Sequence, residues 1–96
     1  MKMVFIAYNE GIDEEVTEML AACGLSSFTK WQKVLGKGLT SAPHFDTSVW
    51  PGANNVCVVV TEAAGASVLL EHVRALRGRF AKEGIKAFVL PVEEVA

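Results

Sequence analysis

The sequence predicts an α+β fold whose elements follow the order strand, helix, strand, strand, helix, strand. Two continuous apolar runs rich in β-branched side chains, residues 3–8 and 55–61, are typical of buried central strands. Each run is followed by a segment whose apolar residues recur at helical spacing. A length of 96 residues allows one domain, which we expect to span residues 1–96.

The first helix is predicted over residues 13–23. Asp13 is a favourable N-cap, and Glu14 and Glu15 fall in the first turn, where the helix dipole favours acidic side chains. Gly24 is a good C-terminal stop. The apolar stripe of this helix consists of Ile12, Val16, Met19, Leu20 and Cys23.

The second helix is predicted over residues 66–82. Arg77 and Arg79 crowd its C-terminal end, where cations complement the helix dipole, and Gly84 follows as a stop. The apolar stripe of this helix consists of Leu69, Val73, Leu76 and Phe80.

Residues 27–35 and 85–92 predict two outer strands. Lys30 and Lys33 in the first, and Pro91 near the end of the second, are typical of sheet edges. Two such strand-helix-strand units interleave into a four-stranded antiparallel sheet with two helices on one face, the ferredoxin-like βαββαβ arrangement. We therefore expect strands one and three in the middle of the sheet.

Composition excludes several classes of protein. A net charge of −2 with mixed signs gives no basic footprint for nucleic acid, and no apolar run is long enough to span a bilayer. We expect a soluble cytoplasmic protein. Its two cysteines, Cys23 and Cys57, form no metal-binding pattern and fall on predicted apolar faces as free thiols.

The central strands predict an oligomer. Both carry apolar residues at successive positions, so they supply apolar groups to both faces of the sheet, whereas two helices cover only one face. Another copy of the chain is the simplest cover for the second face.

The connection between strands two and three is the feature most suggestive of function. We call residues 36–54 (GKGLTSAPHFDTSVWPGAN) segment 36–54. A connection this long in a compact domain is normally functional or disordered, and this one carries aromatic residues and prolines. We therefore place the candidate functional site here.

An anion site is one reading of this segment. The glycines of residues 36–38 let backbone N–H groups point into a common concavity, and Lys37 adds positive charge; the alternative is a flexible exit from an edge strand. A ring edge of Trp50 can stack on a ligand or pack against the protein body. The candidate ligand-binding residues are Gly36, Lys37, Gly38, Thr40, His44 and Trp50.

A metal site is the other reading. His44 and Asp46 lie two residues apart, and an imidazole and a carboxylate can share a divalent ion; a solvated pair is the alternative. Catalysis has little support, because the chain has neither a GxSxG nor an HExxH motif, and we expect no enzyme.

The whole chain resembles the P-II-like superfamily of trimeric sensor proteins. The resemblance lies in the element order, in residues 36–40 (GKGLT), Pro43 with His44, residues 50–54 (WPGAN), and the closing run 84–93 (GIKAFVLPVE). These phrases look like a subgroup with a shortened T-loop, the connection between strands two and three in P-II proteins. The tyrosine that P-II proteins modify there has no counterpart, since the only tyrosine is Tyr8.

The resemblance implies a function. It implies a cytoplasmic homotrimer that binds a small effector between its subunits, such as an adenine nucleotide, and regulates a partner protein, such as a transporter, through segment 36–54. A CutA-like protein that binds divalent metal ions for ion tolerance is the alternative within the same fold. A structural assembly module without ligand is the third.

Overall fold

The computed structural model describes residues 1–36 and 53–96. A 3-10 turn, Glu10–Ile12, joins the first strand to the first helix. The strands and helices are β1 (Lys2–Asn9), α1 (Asp13–Ala22), β2 (Thr29–Val34), β3 (Asn54–Thr61), α2 (Ala63–Arg79) and β4 (Ile85–Pro91).

The four strands form one sheet in the order β2-β3-β1-β4, with every neighbouring pair antiparallel. The two continuous apolar runs therefore occupy the middle of the sheet, and the strands carrying lysine and proline signals occupy its edges. The predicted ferredoxin-like arrangement is confirmed. In the residues that the structure describes, no helix is long and apolar enough to cross a membrane.

The hydrophobic core lies between one face of the sheet and the two helices. Alternate residues of β1 point into it, and Val4 and Ile6 are completely buried. Both cysteines are free; Cys57 belongs to this core, and Cys23 packs against it. The helices contribute Val16, Met19, Leu20, Ala66, Leu69, Val73 and Leu76.

Two predicted helix starts are wrong. Asp13 is not an N-cap: it already has helical dihedrals (φ −60°, ψ −39°), because the 3-10 turn precedes it and Asn9 caps that turn. The second helix, expected over residues 66–82, starts three residues earlier, after Glu62 in an extended conformation. It ends at Arg79 because Phe80 leaves the helical region.

The sheet face opposite the helices is apolar and exposed. Phe5 and Phe88 are paired across β1 and β4, with ring centroids 6.4 Å apart in an edge-on arrangement. They are 36% and 53% exposed. Strand register places further exposed apolar residues on this open face, namely Trp31, Val60 and Leu90.

Candidate functional site

Most of the candidate site residues lie outside the described residues. Gly36 is described, whereas the candidates outside the described ranges are Lys37, Gly38, Thr40, His44, Asp46 and Trp50. The anion and metal hypotheses for those side chains therefore stay predictions. Within residues 1–36 and 53–96, no group of three or more His, Cys, Asp or Glu side chains is placed to hold a metal ion.

The two ends of segment 36–54 lie side by side. Val34, at the end of β2, pairs with Asn54 at the start of β3. A Cβ atom on Gly36 would lie 2.9 Å from Nδ2 of Asn54, which is too close unless that amide moves. Glycine at position 36 therefore lets the chain leave β2 close to the point at which it enters β3.

A polar cavity of about 340 Å³ lies beside this junction. Its walls come from the turn after β1, from the end of β2 and from the start of β3, so three separate elements meet there. The residues that line it are Glu10, Gly11, Asp13, Gln32, Lys33 and Asn55.

The carboxylate of Asp13 gathers three donors next to this cavity. The Tyr8 hydroxyl donates to its Oδ1 at 2.6 Å, and Nδ2 of Asn55 donates to the same oxygen at 3.1 Å. Nζ of Lys30 lies 2.9 Å from Oδ1 and forms an ion pair. Lys30, whose sequence position indicates a sheet edge, therefore also folds over the sheet to neutralise a half-buried charge.

Ionisation of this cluster is set by burial and by these hydrogen bonds. Burial alone would raise the pKa of Asp13, but the hydrogen bonds from Tyr8, Lys30 and Asn55 and the Lys30 charge lower it below its ordinary value. Burial, together with the hydrogen bond to Asp13, raises the pKa of Tyr8. The site therefore holds an ionised Asp13 and a neutral Tyr8 at neutral pH.

The turn after β1 also holds the far end of segment 36–54. The backbone carbonyl of Ala53 accepts the Glu10 N–H at 2.9 Å and Nδ2 of Asn9 at 3.3 Å. Asn9 is fixed in turn, because its Oδ1 accepts the N–H of Gly11 at 2.8 Å. The chain therefore enters β3 through a position anchored by a separate element.

Sequence reasoning missed Asp13 and Asn55 as members of this junction. Asp13 was assigned to capping because that is the commonest local use of Asp before a helix. A signal for Asn55 was present: it is a polar residue at the start of an otherwise apolar central strand, where Asn is disfavoured.

The comparisons with known proteins agree with this fold. Two solved structures are similar. One is CPII, a nitrogen regulatory PII-like protein from Thiomonas intermedia K12 bound to ADP, AMP and bicarbonate, with TM-score 0.75, 18% identity, and coverage of 99% of this chain and 92% of that chain. The other is a PII-like signaling protein from Thermus thermophilus, with TM-score 0.65, 20% identity, and coverage of 93% of this chain and 83% of that chain. At such identities these likenesses show the shared fold.

No curated protein matches the chain. Family comparison, in contrast, matches the family described as Nitrogen regulatory protein P-II, and the match runs over residues 1–96. The match covers the whole sequence, including both ends of segment 36–54 and the strands that flank it. The chain therefore belongs to the nitrogen regulatory protein P-II family.

Proposed function

We propose that this chain is a non-enzymatic signalling protein of the P-II type. Its homotrimer binds a small anionic effector in the clefts between subunits, and segment 36–54 transmits the bound state to a partner protein. The observation that carries the proposal is the convergence of both ends of this segment on one polar cavity, in a chain of the P-II family. A ligand held there contacts the elements that fix the segment.

The open sheet face supports the assembly. A small monomer rarely leaves so continuous an apolar surface in water, and a closed ring of identical chains covers it with no exposed copy. The clefts between subunits then lie next to the sheet edges, where β2 leads into segment 36–54.

The charges of the junction and of segment 36–54 support an anionic effector. Lys37 follows Gly36 directly, and Lys33, whose side chain is 78% exposed, lines the cavity. CPII is a protein bound to ADP, AMP and bicarbonate, so these three compounds are the first to test here. The effector in turn governs a cytoplasmic partner, for which a membrane transporter is the leading candidate.

Replacing Lys37 with Ala is expected to weaken adenine nucleotide binding without unfolding the protein. A charge-assisted contact contributes roughly 1.5 to 3 kcal/mol, so the Kd should rise by about one to two orders of magnitude. Isothermal calorimetry with ADP and AMP measures it directly.

Arg74→Ala is the matched control for this experiment. It removes one positive charge from an exposed position on α2 and should leave the Kd unchanged. An equal loss of affinity in both variants would reduce the role of Lys37 to net charge, and wild-type protein that binds none of the three compounds would contradict the anionic effector.

A further inference from the structure

We infer that Asn55 is a positioning residue that holds the end of β2 in a strained conformation and ties it to the turn after β1. It thereby sets the geometry from which segment 36–54 departs. The residues involved are all described, and none belongs to the candidate ligand contacts predicted from sequence.

Asn55 is a buried amide in an apolar strand. It is 3% exposed and faces the helices, opposite Tyr8 in the register of β1 and β3. Burying an amide without partners is costly, so a residue of this type in a central strand requires hydrogen bonds to compensate it. In the described residues, no buried side-chain nitrogen or oxygen atom lacks a partner.

The two ends of this amide hold two different elements. Its Oδ1 accepts the backbone N–H of Lys33 at 3.2 Å, and its Nδ2 donates to the Asp13 carboxylate at 3.1 Å. A backbone N–H only donates, and an ionised carboxylate only accepts. The orientation of the amide is therefore fixed by its partners, and Asn55 bridges β2 to the start of α1.

Lys33 is the residue that needs to be held. Its φ of 57° lies in the left-handed region, and it is the one non-glycine residue with positive φ in the described parts of the chain. The pairing of β2 with β3 shifts register between Trp31 and Val34, which brackets it. Such a conformation is disfavoured for a side-chain-bearing residue and persists where its surroundings impose it.

Two contacts impose it here. The first is the hydrogen bond to Asn55. The second is the ion pair of the Lys33 Nζ with Glu10 Oε1 at 3.4 Å, which is solvent-exposed and therefore weak. Glu10 also donates its backbone N–H to the carbonyl of Ala53, so the same turn restrains the chain on both sides of segment 36–54.

The test compares Asn55→Ala with Asn54→Ala by amide hydrogen exchange. Asn54 is the neighbouring residue of the same type, and the alternation of the strand turns its side chain to the other face of the sheet. In Asn55→Ala, the Lys33 amide should exchange about fivefold faster or more, as expected from the loss of one hydrogen bond. The amides of the β1–β4 pairing should be unchanged, and Asn54→Ala should leave Lys33 as in the wild type.

Unchanged exchange at Lys33 in Asn55→Ala, or equal acceleration in both variants, would overturn the inference. If Asn55→Ala does not fold, Lys33→Gly is added to it, because glycine adopts positive φ without restraint. That double variant should recover the fold and the register shift in β2. Its failure to do so would mean that Asn55 acts elsewhere.

The functional consequence rests on the proposed function and is measured separately. Asn55→Ala should bind ADP more weakly than the wild type, although Asn55 needs no contact with the ligand. Wild-type protein that ignores ADP would contradict the proposed effector while leaving the exchange result intact. Equal ADP affinity in the two proteins, with faster exchange at Lys33, would show that the positioning does not serve binding.

Discussion

Phe5→Asp is expected to convert the assembled protein into a monomer. Phe5 lies in the middle of the open sheet face, on the central strand β1, beside Phe88. A carboxylate there would be buried without a partner when another chain covers the face, and the effective penalty is several kcal/mol for each buried charge. Closed symmetry repeats the penalty in every subunit, which explains why a complete loss of assembly is expected.

Light scattering at micromolar concentration measures this effect. The wild type should have about three times the mass of one chain, as expected for a closed trimer, and Phe5→Asp should have the mass of one chain. Phe28→Asp is the matched control, since Phe28 is similarly exposed at 38% but precedes β2. A monomeric wild type, or a Phe5→Asp variant that keeps the wild-type mass, would contradict assembly through the open face.

Asp13→Ala is expected to lower the free energy of unfolding by about 2 kcal/mol. The variant leaves the buried Tyr8 hydroxyl with only the Cys57 thiol as a partner, at 3.5 Å, and leaves Lys30 without its counter-ion. Removing one member of a fully buried pair costs more, but the Asp13 side chain is 32% exposed, so water compensates part of the loss.

Urea denaturation at neutral pH measures this loss, with Glu14→Ala as the control. Glu14 is an exposed acidic residue in the same first turn of α1, and its replacement should change the free energy of unfolding by less than about 0.5 kcal/mol. Equal stability of the two variants would show that the Asp13 cluster does not stabilise the fold.

The same cluster predicts a pH dependence of stability. The folded protein lowers the pKa of Asp13 below its unfolded value, so the stabilisation is fully present above that unfolded pKa, near about 4. It should be lost as the pH falls through the folded pKa. Asp13→Ala should lack this part of the acid destabilisation when urea denaturation is repeated across the acid range.

The fold was predictable because its signals are local. The apolar runs of β1 and β3 and the edge residues of β2 and β4 depend on neighbouring positions in sequence, and the sheet order follows from them. The junction was not predictable in the same way. Asp13 meets Asn55 across 42 positions of sequence and Lys30 across 17, and no periodicity relates these residues.

The candidate site was predicted in part. Gly36 lies at the junction as expected, whereas the left-handed conformation of Lys33 follows from a hydrogen bond to a distant strand rather than from any local turn signal. A lysine in a strand favours an edge, and that prediction was correct for the strand. It could not reveal that the backbone of the same lysine marks a shift in the register of the sheet.

Hydrogen exchange of segment 36–54, with and without ADP, tests the central claim that this segment responds to an effector. A ligand shifts the balance between two arrangements only by binding one of them more tightly, and a shift from 1:99 to 99:1 needs about 5.5 kcal/mol of preference. We predict that residues 36–44 exchange fast and residues 50–60 slowly in the free protein, and that ADP slows the first group. Protection of the whole segment in the free protein would contradict the sensor and favour a segment that only seals the assembly.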